Sequence, residues 1–162
     1  MNARTQLSEP DLAVRKSITV KAPRAVALEV FTARMATWWP MPSHHIGQSD
    51  CADVVVEPRI GGRWFERGVD GVECQWGEVL AWQPPERVLL AWRLNAQWQF
   101  DPTLLTEVEV RFVAVDAHTT QVELEHRGLA AFGGEAAQMR DVLGSPNGWG
   151  GMLDHFAVVA SR

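Results

Sequence analysis

Apolar and polar residues alternate over residues 14–22. Val14, Lys16, Ile18 and Val20 fall on one side, and Arg15, Ser17, Thr19 and Lys21 on the other. Period two predicts a first strand with one mostly apolar face. Pro23, suited to the first turn of a helix, marks a change of period. Ala27, Phe31, Met35 and Trp38 then recur at helical spacing with Val30 beside them, which predicts one amphipathic helix. Trp39-Pro40 ends it, because a residue before proline disfavours the α region. Residues 40–50 read as a loop. Six strand-like segments follow, at 52–57, 63–67, 73–83, 87–96, 106–115 and 119–126, with turn signals between them. Such a succession predicts an antiparallel meander. Helical spacing returns over 135–143 and stops at Gly144. Ser145-Pro146 reads as the N-cap and first-turn proline of a last helix. Trp149, Leu153, Phe156 and Ala160 form its apolar stripe, flanked by Met152 and Val159.

The order is therefore β-α-β6-α, an α+β arrangement. A sheet of about seven strands with one wet face must cover the other. Only the last helix is long and apolar enough to lie across it. The covered faces are predicted to carry Val88, Leu90, Trp92 and Leu94, then Val108, Val110 and Phe112, then Val122, Leu124 and His126. A curved sheet wrapped around one helix leaves a space between them, where pockets form. Residues 1–13 are expected to be a flexible lead, and 14–162 a single domain without repeats.

Composition narrows the partners. The length, 162 residues, is that of one domain. Net charge is −5, and no basic run exceeds Arg15-Lys16, so a groove for nucleic acid is not expected. No apolar stretch approaches the roughly 20 residues of a membrane span. The first ten residues lack the apolar centre of a signal peptide, and a cytoplasmic location is expected. Cys51 and Cys74 form no CxxC pair and are expected to be free thiols. The aromatics are lopsided: eight Trp, six Phe and no Tyr. Trp92, Trp149 and Phe156 are expected between sheet and last helix, with Trp38, Trp39, Trp64 and Trp98 around the rim. Trp76 and Trp82 share a strand face whose direction the alternation leaves open. The indoles either line a cavity for a flat or greasy ligand or fill a solid core.

Candidate chemistry is sparse. His126 is the one titratable side chain that alternation aims inward, where it suits proton transfer or a polar ligand group. The competing expectation is a core-edge histidine satisfied by backbone. No second inward carboxylate is expected, since Glu107, Glu109, Glu123 and Glu125 alternate to the other face. His44-His45, near Asp50 and Cys51, carries metal-binding residue types. Adjacent histidines do not easily meet one ion, and no ligand spacing repeats. No metal or cofactor is therefore expected, and the loop is read as gating a pocket mouth. Arg59, Arg63 and Arg67 either hold an anion or form a solvent-facing row paired with glutamates; the row is favoured. Gly148, Gly150 and Gly151 open the last helix, which points to close packing there. No nucleophile elbow, Walker loop, dinucleotide fingerprint or HExxH occurs.

Several local motifs occur in a specific order. Val20-Lys21-Ala22-Pro23 enters the first helix and Trp38-Trp39 ends it. Glu57-Pro58-Arg59-Ile60-Gly61-Gly62-Arg63-Trp64 follows, then Gly77-Glu78-Val79-Leu80-Ala81-Trp82-Gln83-Pro84-Pro85-Glu86-Arg87. Thr106-Glu107-Val108-Glu109-Val110, Leu124-Glu125-His126 and Gly148-Trp149 complete the set. Over roughly residues 15–160 the chain resembles the START-like (SRPBCC) superfamily, and within it the AHSA1-like branch named after the activator of Hsp90 ATPase. The resemblance implies a helix-grip fold, a curved antiparallel sheet around a long C-terminal helix. It also implies one of several functions, since the superfamily includes lipid and hormone binders, polyketide cyclases, ring-hydroxylase subunits and co-chaperones.

The leading expectation is non-catalytic binding of a small, largely apolar molecule, with an acidic group as an option. The expected lining is Trp38, Trp39, Trp64, Trp92, Trp98, Phe112, His126, Trp149, Met152, Leu153 and Phe156. The alternative is a cyclase- or hydrolase-like enzyme with His126 as acid/base. A third is a protein-interaction module of the Hsp90 co-chaperone kind. Eukaryotic Hsp90 activators carry a separate N-terminal domain, for which there is no room before residue 15, and this counts against it.

Overall fold

In the computed structural model, which describes residues 12–162, the first strand leaves its apolar side on the core and pairs with the last. Among the described residues there are seven strands: β1 (Val14–Val20), β2 (Cys51–Val56), β3 (Arg63–Gly68), β4 (Glu73–Gln83), β5 (Arg87–Trp92), β6 (Thr106–Asp116) and β7 (Thr119–Arg127). They form one antiparallel sheet in the order β1-β7-β6-β5-β4-β3-β2. The meander thus runs from β2 to β7, and β1 closes its far edge. Helices α1 (Arg24–Thr32), α2 (Ala136–Gly144) and α3 (Trp149–Ala160) cover the inner face. This is the helix-grip fold. The lead expected over 1–13 lies outside the described residues as far as residue 11; Leu12 packs against the core.

The first helix is shorter than its apolar stripe. It stops at Thr32, and Met35–Thr37 forms a separate 3-10 turn. The Arg34 N–H donates to the Glu29 carbonyl at 3.1 Å, bypassing Val30. The indole N–H of Trp38 takes the Val30 carbonyl instead, at 2.9 Å. A side chain thereby satisfies a helix-end acceptor, and Met35 and Trp38 stay buried without a continuous helix.

The last helix begins later than the Ser145-Pro146 signal predicts. The Ser145 hydroxyl donates to the Val142 carbonyl at 2.7 Å and so finishes α2. Gly148 is the N-cap of α3. The α2–α3 joint folds back on itself very tightly. A Cβ on Gly148 would lie 2.3 Å from the Leu143 carbonyl oxygen, and one on Gly151 would lie 1.9 Å from that of Pro146. No side chain fits either gap, which accounts for glycines that cost helix propensity.

Two irregularities aim the ambiguous strand face. Pairing steps from Trp64↔Gly77 to Phe65↔Gln75, leaving Trp76 as an extra residue, a β-bulge. A second step between Val79 and Ala81 brings Trp82 opposite Val88. Trp76 and Trp82 consequently both meet the core, Trp76 fully and Trp82 in part.

The outer face is a charged lattice. Arg127 bonds Glu107, Glu109 and Glu125 at 2.6–3.1 Å, and Arg87 also grips Glu109. Burial pushes the Glu109 carboxyl up, but hydrogen bonds from Arg87 and Arg127 outweigh it, and the net shift is down. Arg63 and Arg67 flank the Phe65 ring at 4.2 and 5.5 Å and pair with Glu57, Glu73 and Asp53. They are the solvent-facing row, on the side of the sheet away from α3.

Candidate functional site

Inward-facing indoles are unusually dense. Phe31, Trp38 and Phe156 meet at ring separations of 5.0–5.5 Å. Trp39, Trp64, Trp76, Trp92 and Trp149 continue the cluster at 4.9–6.4 Å. Each buried N–H needs a partner. Trp38 and Trp39 donate to the carbonyls of Val30 and His44, both at 2.9 Å. Trp64 meets the Met35 sulfur at 3.3 Å, and Trp76 donates to Glu66 at 2.8 Å. Trp92 donates to Leu94 at 3.2 Å, and Trp149 to His126 at 3.1 Å.

The cluster is solid at one end and open at the other. At the N-terminal end of α3 lies a cavity of about 340 Å³. The sheet supplies Trp76, Trp92 and Leu94 to its wall; Trp39 and the loop after it add Ser43, His44, His45 and Ile46. The helical side is Val142, Leu143, Asn147, Gly148 and Met152, and Trp98 forms the lip. Trp98 is 42% exposed and sits at φ 60°, in the left-handed region. Its turn is fixed by Asn95, whose side chain accepts the N–H groups of Gln97 and Gln99 at 2.9 and 3.0 Å.

Of the residues expected to line a cavity, Trp39, Trp92, Trp98 and Met152 do so. Trp38, Trp64, Phe112, Trp149, Leu153 and Phe156 are buried core and do not line this cavity.

His126 also lies off the cavity, with no exposed surface. The Trp149 N–H donates to its Nδ1, so Nε2 carries the hydrogen and donates to Thr106 Oγ1 at 2.8 Å. The Thr106 hydroxyl passes on to the Trp92 carbonyl at 2.9 Å. Burial pushes the imidazole down to about 3. The ring is neutral with both nitrogens engaged, and the structure places it in the packed core rather than at the cavity wall.

Glu66 is the inward carboxylate that sequence reading missed. It is 1% exposed. Oε1 accepts from the Ile46 N–H at 2.6 Å and from Trp76; Oε2 accepts from the Gly47 N–H at 2.9 Å. The carboxylate pins the 43–47 loop to the sheet and so fixes the cavity mouth. The signal was present: if Arg63, Phe65 and Arg67 face outward, Trp64 and Glu66 face inward. On the other side the loop is tied to the α2–α3 joint, where His44 Nε2 lies 2.6 Å from the Asn147 carbonyl. Cys51 and Cys74 are free, and burial, with the Glu66 charge adding to it, pushes both thiols up. Among the described residues no group of three His, Cys, Asp or Glu is placed to hold a metal ion. No helix among them is long and apolar enough to cross a membrane.

The chain is 39% identical to an anthrahydroquino-gamma-pyrone synthase, Txn09, solved as a complex; the match covers 91% of this chain and 96% of that one, with a TM-score of 0.64. It is 31% identical to CalC, a self-sacrificing resistance protein from Micromonospora echinospora, over 91% and 93% of the two chains, with a TM-score of 0.69. Protein NE0264 from Nitrosomonas europaea, 12% identical over 96% and 97%, shares the fold with a TM-score of 0.67. A search of curated proteins finds no match. The family model described as activator of Hsp90 ATPase homolog 1-like protein matches residues 21–161, and the chain belongs to that family.

Proposed function

We propose that the chain binds a flat, largely apolar polycyclic molecule, of the aromatic polyketide kind, in the indole-lined cavity. The carrying observation is Trp98, a large indole left 42% exposed at the lip on a left-handed backbone. That conformation costs roughly 1–3 kcal/mol, and the fold still leaves 42% of the residue uncovered. A flat ligand inserted between Trp98 and the Trp39, Trp76 and Trp92 walls covers it. The name of the 39% identical synthase, which concerns an anthrahydroquinone pyrone, supports the same ligand class. Titration with anthraquinone, followed by tryptophan fluorescence, tests the reading. Saturable quenching is expected. Quenching that rises linearly without saturation, or equal competition by a straight-chain alcohol, overturns it.

Catalysis of ring closure is the second reading. What favours it is the polar edge of an otherwise apolar cavity, formed by Ser43, His44, His45 and Asn147. Incubation with an open-chain aryl polyketide precursor, with chromatography for a ring-closed product, tests this. An unchanged precursor removes it and leaves binding.

A further inference from the structure

The histidines of this chain commit their ring nitrogens differently. His126 has both engaged, by Trp149 and Thr106. His44 has both engaged, by the Ser43 hydroxyl at 2.7 Å and the Asn147 carbonyl at 2.6 Å. His118 and His155 are exposed and line no part of the cavity. His45 does line it, and engages one nitrogen only: Nδ1 lies 3.0 Å from the Gly47 carbonyl oxygen. A carbonyl only accepts, so Nδ1 carries the hydrogen, and in the neutral ring Nε2 holds the lone pair. Among the described residues Nε2 has no partner.

A carboxylate stands behind this ring. Glu66 Oε2 lies 4.0 Å from His45 Nδ1. The Ile46, Gly47 and Trp76 donors hold Glu66 in place, so it cannot swing away when the ring changes charge. A fixed acid, a ring tethered through one nitrogen, and an open second nitrogen at a cavity wall form the arrangement that proton abstraction uses.

We infer that His45 Nε2 accepts the hydroxyl of a phenolic or enolic aromatic ligand bound in the cavity, with Glu66 as the positioning residue behind it. The inference rests on the binding function proposed above and supplies its polar anchor. Proton transfer along that hydrogen bond breaks the ligand O–H bond and forms Nε2–H. The electron pair stays on the ligand oxygen, and the imidazolium faces the Glu66 carboxylate. The same carboxylate disfavours a ligand carboxylate at this edge, and Arg63 and Arg67 lie on the other face of the sheet. The acidic group allowed by the sequence is thereby narrowed to a hydroxyl.

The test compares 2-hydroxyanthraquinone with 2-methoxyanthraquinone by tryptophan quenching, in the wild type and in His45→Phe, which keeps a ring of similar size. The wild type is expected to prefer the hydroxyl probe by about tenfold, the worth of one good hydrogen bond. In His45→Phe that ratio is expected to fall to about one while the methoxy probe still binds. A second arm uses the wild type alone. Diethyl pyrocarbonate, which acylates a free imidazole nitrogen, is expected to label His45 and spare His126, and the hydroxyl probe to protect His45. Equal binding of the two probes by the wild type overturns the inference and leaves the pocket standing. So does a ratio that survives in His45→Phe, or a His45 that resists labelling. Failure of both probes to quench overturns the pocket reading and this inference together.

Discussion

Phe31, Trp38, Phe112 and Phe156 fill one end of the groove between sheet and α3; Trp39, Trp76, Trp92 and Trp98 surround open space at the other. The residue types are nearly the same, so aromatic content does not decide which end is hollow. The backbone around them does. The filled end lies under regular strands and α1, where side chains of neighbouring elements meet directly. The open end is roofed by a loop, a tight turn and a glycine joint, held apart by polar contacts through Glu66, Asn95 and His44. The histidines repeat the contrast: His126 is locked in the packed region, and His45 sits at the hollow one with a nitrogen to spare.

The sharpest way to break this comparison is to truncate one ring at each end. Phe156→Ala is expected to cost about 3–5 kcal/mol of stability, read as a fall of roughly 10 °C in Tm. A loss below about 1 kcal/mol would mean that the filled end tolerates a void.

Glu66→Ala comes next. It leaves the Ile46, Gly47 and Trp76 donors unpaired and is expected to cost about 3 kcal/mol. Faster hydrogen exchange at the amides of residues 46 and 47 would place the damage at the mouth. Unchanged exchange there would show that something else holds the loop.

The third effect is pH dependence at the packed end. Folded His126 stays neutral down to about 3, while the unfolded chain takes its proton near 6.5. Between those values the unfolded state binds more protons, so stability is full above 6.5 and falls as pH drops. From pH 6.5 to 5 the loss is expected to be about 2 kcal/mol in urea unfolding, with a flatter profile in His126→Asn. An equal slope in the variant would assign the loss to other groups.

The smallest stability change belongs to the lip. Trp98→Ala is expected to alter stability by less than about 0.5 kcal/mol yet weaken anthraquinone binding by about tenfold, from lost stacking. Undiminished binding would move the ligand away from the lip.

The fold was largely legible because alternation and helical spacing report directly which faces are buried. The strand segments at 73–83 and 106–115, and the stripe through Trp149, Leu153 and Phe156, fall where the structure has β4, β6 and α3. The site was legible only in part. Alternation tells inward from outward but not filled from empty, so Trp38 and Phe156 could not be told from Trp39 and Met152. The direction of Trp76 depended on a bulge, which shifts the period without a sequence mark of its own. Glu66 was hidden because a charged residue in a short strand reads as solvated unless its neighbours' directions are settled first. Two of its three partners, the Ile46 and Gly47 backbone amides, have no side-chain signature.

The joint at Gly148 and Gly151 has a consequence for redesign. Side chains on Leu143, Val142 and Met152 shape the cavity wall, and α3, which carries Met152, meets the Pro146 backbone closely at Gly151. Any side chain at position 151 must displace backbone at this joint, because the Pro146 carbonyl occupies the space. Resizing the cavity for a larger guest therefore divides into two independent dials: the lining, which can be carved residue by residue, and the hinge, which moves a whole wall at once.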